Sequence, residues 1–155
     1  MRIIFDINPC PASRPRVTRW STYYPKKYTQ FKKDMIALTS ELYITPSESL
    51  LSVDIGFYIG MPKSWSKKKK ELKNGQYCDN NADVDNYLKA ILDSLNEVIY
   101  VDDRQIVEIS ARKIYSDQPC IKFNMKIIGD STNDKGGIMW GIGNRLRNKS
   151  KDIKC

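Results

Sequence analysis

The sequence contains no histidine. That absence removes Ser-His-Asp and Cys-His catalysis, histidine-based nucleases and any zinc site that needs imidazole. An enzyme built from this chain must work with carboxylates, lysines, backbone groups or a hard metal ion. Cysteine is scarce: Cys10, Cys78, Cys120 and Cys155 lie too far apart in sequence for a CxxC metal or redox motif. Long apolar runs are missing as well, and no stretch approaches the length needed to span a bilayer. In the opening MRIIFDINPCP the short apolar run is interrupted by Asp6, which argues against a signal peptide. A cytosolic protein whose thiols are free and structural is the expectation.

What the chain does have is positive charge. Its 155 residues fit one domain, and 41% hydrophobic residues suffice for a core. Lys plus Arg number 26 against 18 Asp plus Glu, a formal net charge of +8. Such a balance points to a polyanionic partner, most often nucleic acid; a protein that is merely basic is the plain alternative.

Hydrophobic periodicity orders the chain. MRIIFDINP alternates Ile3, Phe5 and Ile7 and stops at Pro9, which predicts a strand. PCPASRPRVTRWSTYYPKKY is predicted as a loop, since its early prolines oppose a ladder or helix. Tyr28, Phe31, Met35, Leu38 and Leu42 recur at helical steps and predict an amphipathic helix from Lys26. LLSVDIGFYIGMP then alternates Leu51, Val53, Ile55, Phe57 and Ile59 as a second strand, and the basic KSWSKKKKELKNGQYC reads as a loop with room for one short helix. A second long helix is predicted from Asp85 to about Asn96, with Leu88, Ile91, Leu92 and Leu95 on one face. Two strands follow, one showing Val107, Ile109 and Ala111 on one face, the other Ile121, Phe123, Met125 and Ile127, joined by a turn at SDQP.

The predicted order β-α-β-α-β-β is a two-layer α/β (α+β) single domain, with two main helices on a mixed sheet. It spans residues 1–128, and residues 129–155, with KGGIMWGIGNRLRNKSKDIKC, are expected to form a basic, partly disordered extension. No internal repeat is visible.

Against this basic background, NNADVDNYLKAILDSLNEVIYVDD gathers acid. Asp83 and Asp85 stand at the start of the second helix, where the dipole favours a carboxylate and one aspartate would suffice as cap. Residues 85, 89 and 93 form one row along that helix, so Asp85 and Lys89 are candidates for a surface ion pair. Asp102 and Asp103 open the third strand, and short connections place them, by expectation, at the same edge as Asp83 and Asp85. Carboxylates gathered so closely repel one another, and Mg²⁺, which takes oxygen ligands and keeps water, resolves the conflict. With a basic surface to hold a phosphate backbone, these are the parts for metal-assisted phosphodiester hydrolysis; scattered surface acids are the alternative.

DVDNYLKAILDSLN followed by VDDRQIVE resembles the RusA family of Holliday junction resolvases, widespread in phages and prophages. SRPRVTRWSTYYPKKY is similar to the N-terminal segment of many phage members, and MPKSWSKKKKELKNG to their central basic loop, so the likeness covers about residues 5 to 128. It implies an Mg²⁺-dependent crossover junction endodeoxyribonuclease, with Mn²⁺ as alternative ion, acting on branched DNA as a homodimer. It implies catalytic roles for Asp83, Asp85 and Asp103 as metal ligands, with Asp102 beside them in the ligand set, and for Lys89, while Asn86 fills the motif's asparagine. Many members have Lys-Pro where this chain has Asn81 and Ala82. The family places the protein in the cytoplasm of a bacterial or phage-infected cell, with no membrane and no organic cofactor.

The basic segments acquire a role in that setting. Arg14, Arg16 and Arg19 lie among Trp20, Tyr23 and Tyr24, and Lys63 with Lys67, Lys68, Lys69 and Lys70 flanks Trp65. Charge holds phosphates, and aromatic rings stack on unpaired bases near a branch point. Two rival functions remain: a non-catalytic branched-DNA-binding protein, and a metal-dependent nuclease acting on flaps or linear duplex.

Overall fold

The computed structural model describes residues 1–129; the expected C-terminal extension, Gly129 aside, lies outside the described residues. Strand β1 (Arg2–Phe5) buries Ile3 and Phe5 and turns Arg2 and Ile4 outward. It stops before Ile7, whose N–H turns back to the Phe5 carbonyl at 2.9 Å. The proline-rich loop carries a small hairpin that was not expected, β2 (Arg16–Val17) paired with β3 (Thr22–Tyr23). Pro9, Pro11 and Pro15 all precede it, so none has to donate to its ladder. Helix α1 (Lys26–Ser40) follows Pro25 and buries Tyr28, Phe31, Met35 and Thr39.

The central strand β4 (Leu50–Gly60) buries Leu51, Val53, Ile55, Phe57 and Ile59. Next comes the short basic helix α2 (Lys67–Lys73), capped by Ser66, whose side chain accepts the Lys69 N–H at 3.3 Å. Helix α3 (Val84–Leu95) buries Tyr87, Ala90, Ile91 and Leu95, while Leu88 and Leu92 sit half-buried at the margin of its stripe. Each fully buried side chain of that size contributes roughly 1.5–3 kcal/mol relative to exposure. A 3-10 turn (Asp103–Gln105) leads into β5 (Ile106–Ser116), and β6 (Cys120–Gly129) closes the fold. The architecture is the expected α+β single domain with a mixed sheet.

The four-stranded sheet has the order β1-β6-β4-β5. β6 runs antiparallel to both β1 and β4, whereas β4 and β5 run parallel. Side chains of α1 and α3 join one face of this sheet in a single core. On the other face, Arg112 makes a two-pronged ion pair with Asp54 at 2.7 and 3.1 Å, and Asn124 donates to the same carboxylate. No described helix is long and apolar enough to cross a membrane. Cys10 and Cys78 are buried free thiols, and Cys120 is half-buried.

One expected face is corrected. The β4–β5 register slips between Leu51 and Ser52, whose partners are Ile106 and Glu108. Val107 is the extra residue, and such a slip breaks the alternation. Ile106 therefore takes the place expected for Val107, packing against the core with Ala111, while Val107 is 57% exposed. Ile127, expected on the buried face of β6, is exposed, lying past the β1 pairing that ends at Asn124.

The start of β5 is fixed by Gln105, one of the few buried polar side chains. Its amide oxygen accepts the Asp102 N–H at 2.8 Å, and its amide nitrogen donates to the Ser47 and Ser49 carbonyls at 2.8 and 3.0 Å. Gln105→Leu removes these bonds while keeping the bulk. It is expected to lower unfolding stability by about 1–3 kcal/mol, read from the urea midpoint. A second expectation concerns pH. The hydrogen bonds and charge of Arg112 hold the Asp54 carboxyl below the usual carboxylate range. A depressed folded pKa stabilises the protein above the unfolded value, and that stability is lost as pH falls through the folded value. Asp54→Asn should therefore flatten the acid limb of the stability–pH curve, measured by thermal melting from neutral pH downward.

Candidate active site

Asp83 is the residue that starts α3, with extended backbone angles, and Asp85 lies in the first turn. Both are exposed, and the Asp83 side chain makes no cap hydrogen bond. Neither carboxylate enters an ion pair among the described residues. Two carboxylates one residue apart would suffice for Mg²⁺, which usually takes one or two and keeps the rest of its shell for water and phosphate; the positive helix end favours their ionised form, not the cation.

The segment entering α3 is held firmly. Lys113 of β5 donates to the Asn80 side-chain oxygen at 2.9 Å and to the Ala82 carbonyl. Asn80 in turn donates to the Tyr87 hydroxyl at 2.8 Å, tying the segment to the buried face of α3. Tyr115 donates its phenol proton to Asp79 at 2.7 Å, and this bond holds the Asp79 carboxyl below its usual range. Sequence reading missed Asn80 and Lys113. Only the β5 register brings Lys113 back to the start of α3, so no local pattern signals it.

Lys89 lies one turn after Asp85 but pairs with Asp93, at 3.8 Å, rather than with Asp85. Both groups are well exposed, which puts the pair at about 0.2–0.5 kcal/mol. Lys89 is thus only loosely held, on the same row as Asp85.

The second acidic pair is elsewhere. The Asp102 side chain accepts the Arg104 N–H at 3.0 Å and completes a capping box with Gln105, so it is engaged in local structure. Asp103 is exposed at the first position of the 3-10 turn. Burial raises the Tyr100 phenol pKa, with added repulsion from the charges of Asp103 and Asp93. Tyr100 donates to the Leu92 carbonyl at 2.9 Å, which fixes this turn at the C-terminal end of α3.

Within one chain, therefore, the two acidic pairs do not share an edge. Lys113, near the end of β5, touches Ala82 at the start of α3, while Asp103 precedes the start of β5 at the end of α3. The reason is geometric: after a short turn β5 must begin where α3 ends, and it then runs back alongside it. Twelve helical residues separate the pairs, which is about 18 Å at 1.5 Å per residue. Among the described residues no group of three or more Asp, Glu or Cys side chains stands close enough to hold a metal ion.

The basic segments do gather at the Asp83 end. The Ala12 N–H bonds the Asn86 carbonyl at 2.8 Å, tethering the Arg14, Arg16 and Arg19 segment to the first turn of α3. All three arginines are exposed, and Arg19 lies 5.2 Å from the centre of the Trp20 ring. Helix α2 is anchored by aromatic contacts: Trp65 meets Tyr115 edge-on at 5.2 Å, and the Lys69 ammonium stands 4.3 Å from the Trp65 ring centre. Lys73 completes the anchor, 3.5 Å from Asp79. Lys63, in the loop before α2, and Lys67, Lys68 and Lys69 on it are exposed and Lys70 is half-buried; α2 abuts the segment leading to Asp83 through the Lys73–Asp79 pair.

The chain is 38% identical over 76 residues to YqaN of Bacillus subtilis strain 168, an uncharacterized protein. That match covers 46% of this chain and 54% of the relative, so the chain spans about half the length of the curated protein it resembles. Residues 6–126 match the family described as Endodeoxyribonuclease RusA, a span that contains every acidic and basic residue singled out above, and the chain belongs to that family.

Proposed function

We propose that this protein is a structure-selective, Mg²⁺-dependent endodeoxyribonuclease that resolves four-way DNA junctions by paired, symmetric phosphodiester hydrolysis. One observation carries the reading: in a chain of an endodeoxyribonuclease family, an arginine-rich hairpin segment and a lysine-rich helix converge on two free carboxylates at a helix start. Side-chain capping does not account for Asp83, which makes no cap bond, while Asp85 in the first turn is favoured by the helix dipole.

Asp83 and Asp85 would hold the ion, which when bound supplies an acidified water and a polarised phosphate. Lys89, loosely paired on the same row, is available to turn toward the charge that develops on the phosphate. The Arg14 to Arg19 segment and α2 grip backbone phosphates on either side, and Trp20 and Tyr23, both exposed, offer stacking faces. Phosphate contacts carry no base information, so selectivity rests on DNA shape. Attack in line leaves 5′-phosphate and 3′-hydroxyl ends.

Asp103 enters from a second copy. A four-way junction has two-fold symmetry, and a C2 homodimer with two sites matches it. The free edge of β5 supplies the means. Among the described residues, 75–78 cover that edge only from Lys113 onward, while Val107 and Ile109 are 57% and 44% exposed. Antiparallel pairing of two such edges about Glu108 sets Asp103 level with the partner's Lys113, which is where the partner's Asp83 and Asp85 stand. Each site would then combine Asp83 and Asp85 of one chain with Asp103 of the other.

Two experiments test this. A synthetic four-way junction, a flap and a linear duplex are each incubated with the protein in Mg²⁺ or EDTA. Paired symmetric nicks on the junction alone, abolished by EDTA and lowered at least 100-fold by Asp85→Asn without loss of junction binding, are expected. Binding without cleavage would favour the non-catalytic reading, and equal cutting of flaps or duplex the general nuclease. The second experiment mixes Asp85→Asn with Asp103→Asn chains, each inactive alone. Shared sites leave one intact centre per mixed dimer, so single-strand nicking should return; a site built within one chain gives no recovery.

A further inference from the structure

Lys113 places a cation against the short segment that leads into α3. It projects from β5, half-buried, at a register position level with Phe57 of β4 on the face that packs against the helices. Its ammonium makes no ion pair among the described residues. All its hydrogen bonds go to one short segment: the Asn80 carbonyl at 3.4 Å, the Asn80 side-chain oxygen at 2.9 Å and the Ala82 carbonyl. Charge-assisted bonds of this kind are the stronger class. The segment they hold has little rigidity of its own, since Asn81 is exposed and neither Asn81 nor Ala82 restricts the backbone as proline would. Asp83 follows directly, and the Cys78 N–H bonds the Lys113 carbonyl at 2.9 Å, so both ends of residues 78–82 are tied to this one residue.

We propose that Lys113 is a positioning residue of the carboxylate site. By fixing Asn80 and Ala82 it sets the spacing and direction of Asp83 and Asp85, which a metal ion with strict octahedral demands requires. Asn80 relays the constraint to Tyr87, so the segment is held from β5 and from the buried side of α3 together. This inference rests on the nuclease reading and adds a supporting residue to it.

The test compares wild type with Lys113→Met, Lys113→Arg and Asn80→Ala, using Mn²⁺ as probe. Mn²⁺ binding is read by electron paramagnetic resonance, junction binding in EDTA by gel shift, and folding by thermal melting. Lys113→Met should bind Mn²⁺ about 10–100-fold more weakly, the usual effect of losing a group that orients a ligand. Junction binding in EDTA should be retained, Lys113→Arg should recover part of the loss, and Asn80→Ala should reproduce it in milder form. If only the charge of Lys113 mattered, its removal would relieve repulsion of the cation. Equal or tighter Mn²⁺ binding by a folded Lys113→Met protein therefore overturns the inference while leaving the nuclease reading intact. Should Lys113→Met fail to fold, Asn80→Ala carries the test alone, and unchanged Mn²⁺ affinity there overturns it. A wild-type protein that takes up no Mn²⁺ overturns both readings.

Discussion

Parallel strands cannot be joined by a tight turn, and β4 and β5 are parallel neighbours at one side of this sheet. The chain must cross from the end of β4 back to the start of β5, and α3 is the element that carries it. Its buried residues, Tyr87, Ala90, Ile91 and Leu95, lock it on the sheet against β5. Everything functional follows from that crossing. One end of α3 lies beside the end of β5, where Lys113 and Tyr115 receive the incoming segment. The other end lies beside the start of β5, where Gln105 pins the turn that holds Asp103. A single geometric fact thus assigns two acidic pairs to two different places.

Electrostatics then distinguishes those places. The Asp83 end is where cationic segments collect: the arginine segment tethered at Asn86, helix α2 anchored on Trp65 and Tyr115, and Lys113 beneath. The anchoring uses rings and lysine stems rather than buried ion pairs, so most of the lysines keep their charge toward solvent. The Asp103 end is quieter, with Asp102 absorbed by its capping box and Asp103 exposed beside the uncovered part of β5. A polyanion would be gripped at the first end, while the second end offers apolar residues, Val101, Val107 and Ile109, that are between 44% and 57% exposed. The two ends of α3 thus differ both in charge and in exposed apolar surface.

Much of this was legible in the residues themselves. Alternation at Leu51 to Ile59 and at Ile121 to Met125 marked buried strands, and the 3–4 spacing of Tyr28, Phe31 and Met35 marked α1. The β2–β3 hairpin escaped because its strands are two residues long, too short for a period to register. The face of β5 was misread because one inserted residue, Val107, shifts the alternation, and only the partner strand reveals the slip. Lys113 and Asn80 escaped for a related reason: they act through a contact spanning 33 residues of sequence.

The sequence by itself determined the chemistry on offer. Without histidine, imidazole chemistry is closed to the chain; paired aspartates and excess lysine and arginine are what it offers instead, and its motif spacing marks the family. It also determined that a helix would run from about Asp85 to about Asn96, close to the observed Val84–Leu95, since apolar periodicity is a local property. Tertiary structure alone decided which charged groups meet. The direction in which β5 returns along α3, the residue at which β4 and β5 slip, and the reach of Lys113 to Ala82 depend on long-range packing, and packing sums contacts that no window of sequence contains.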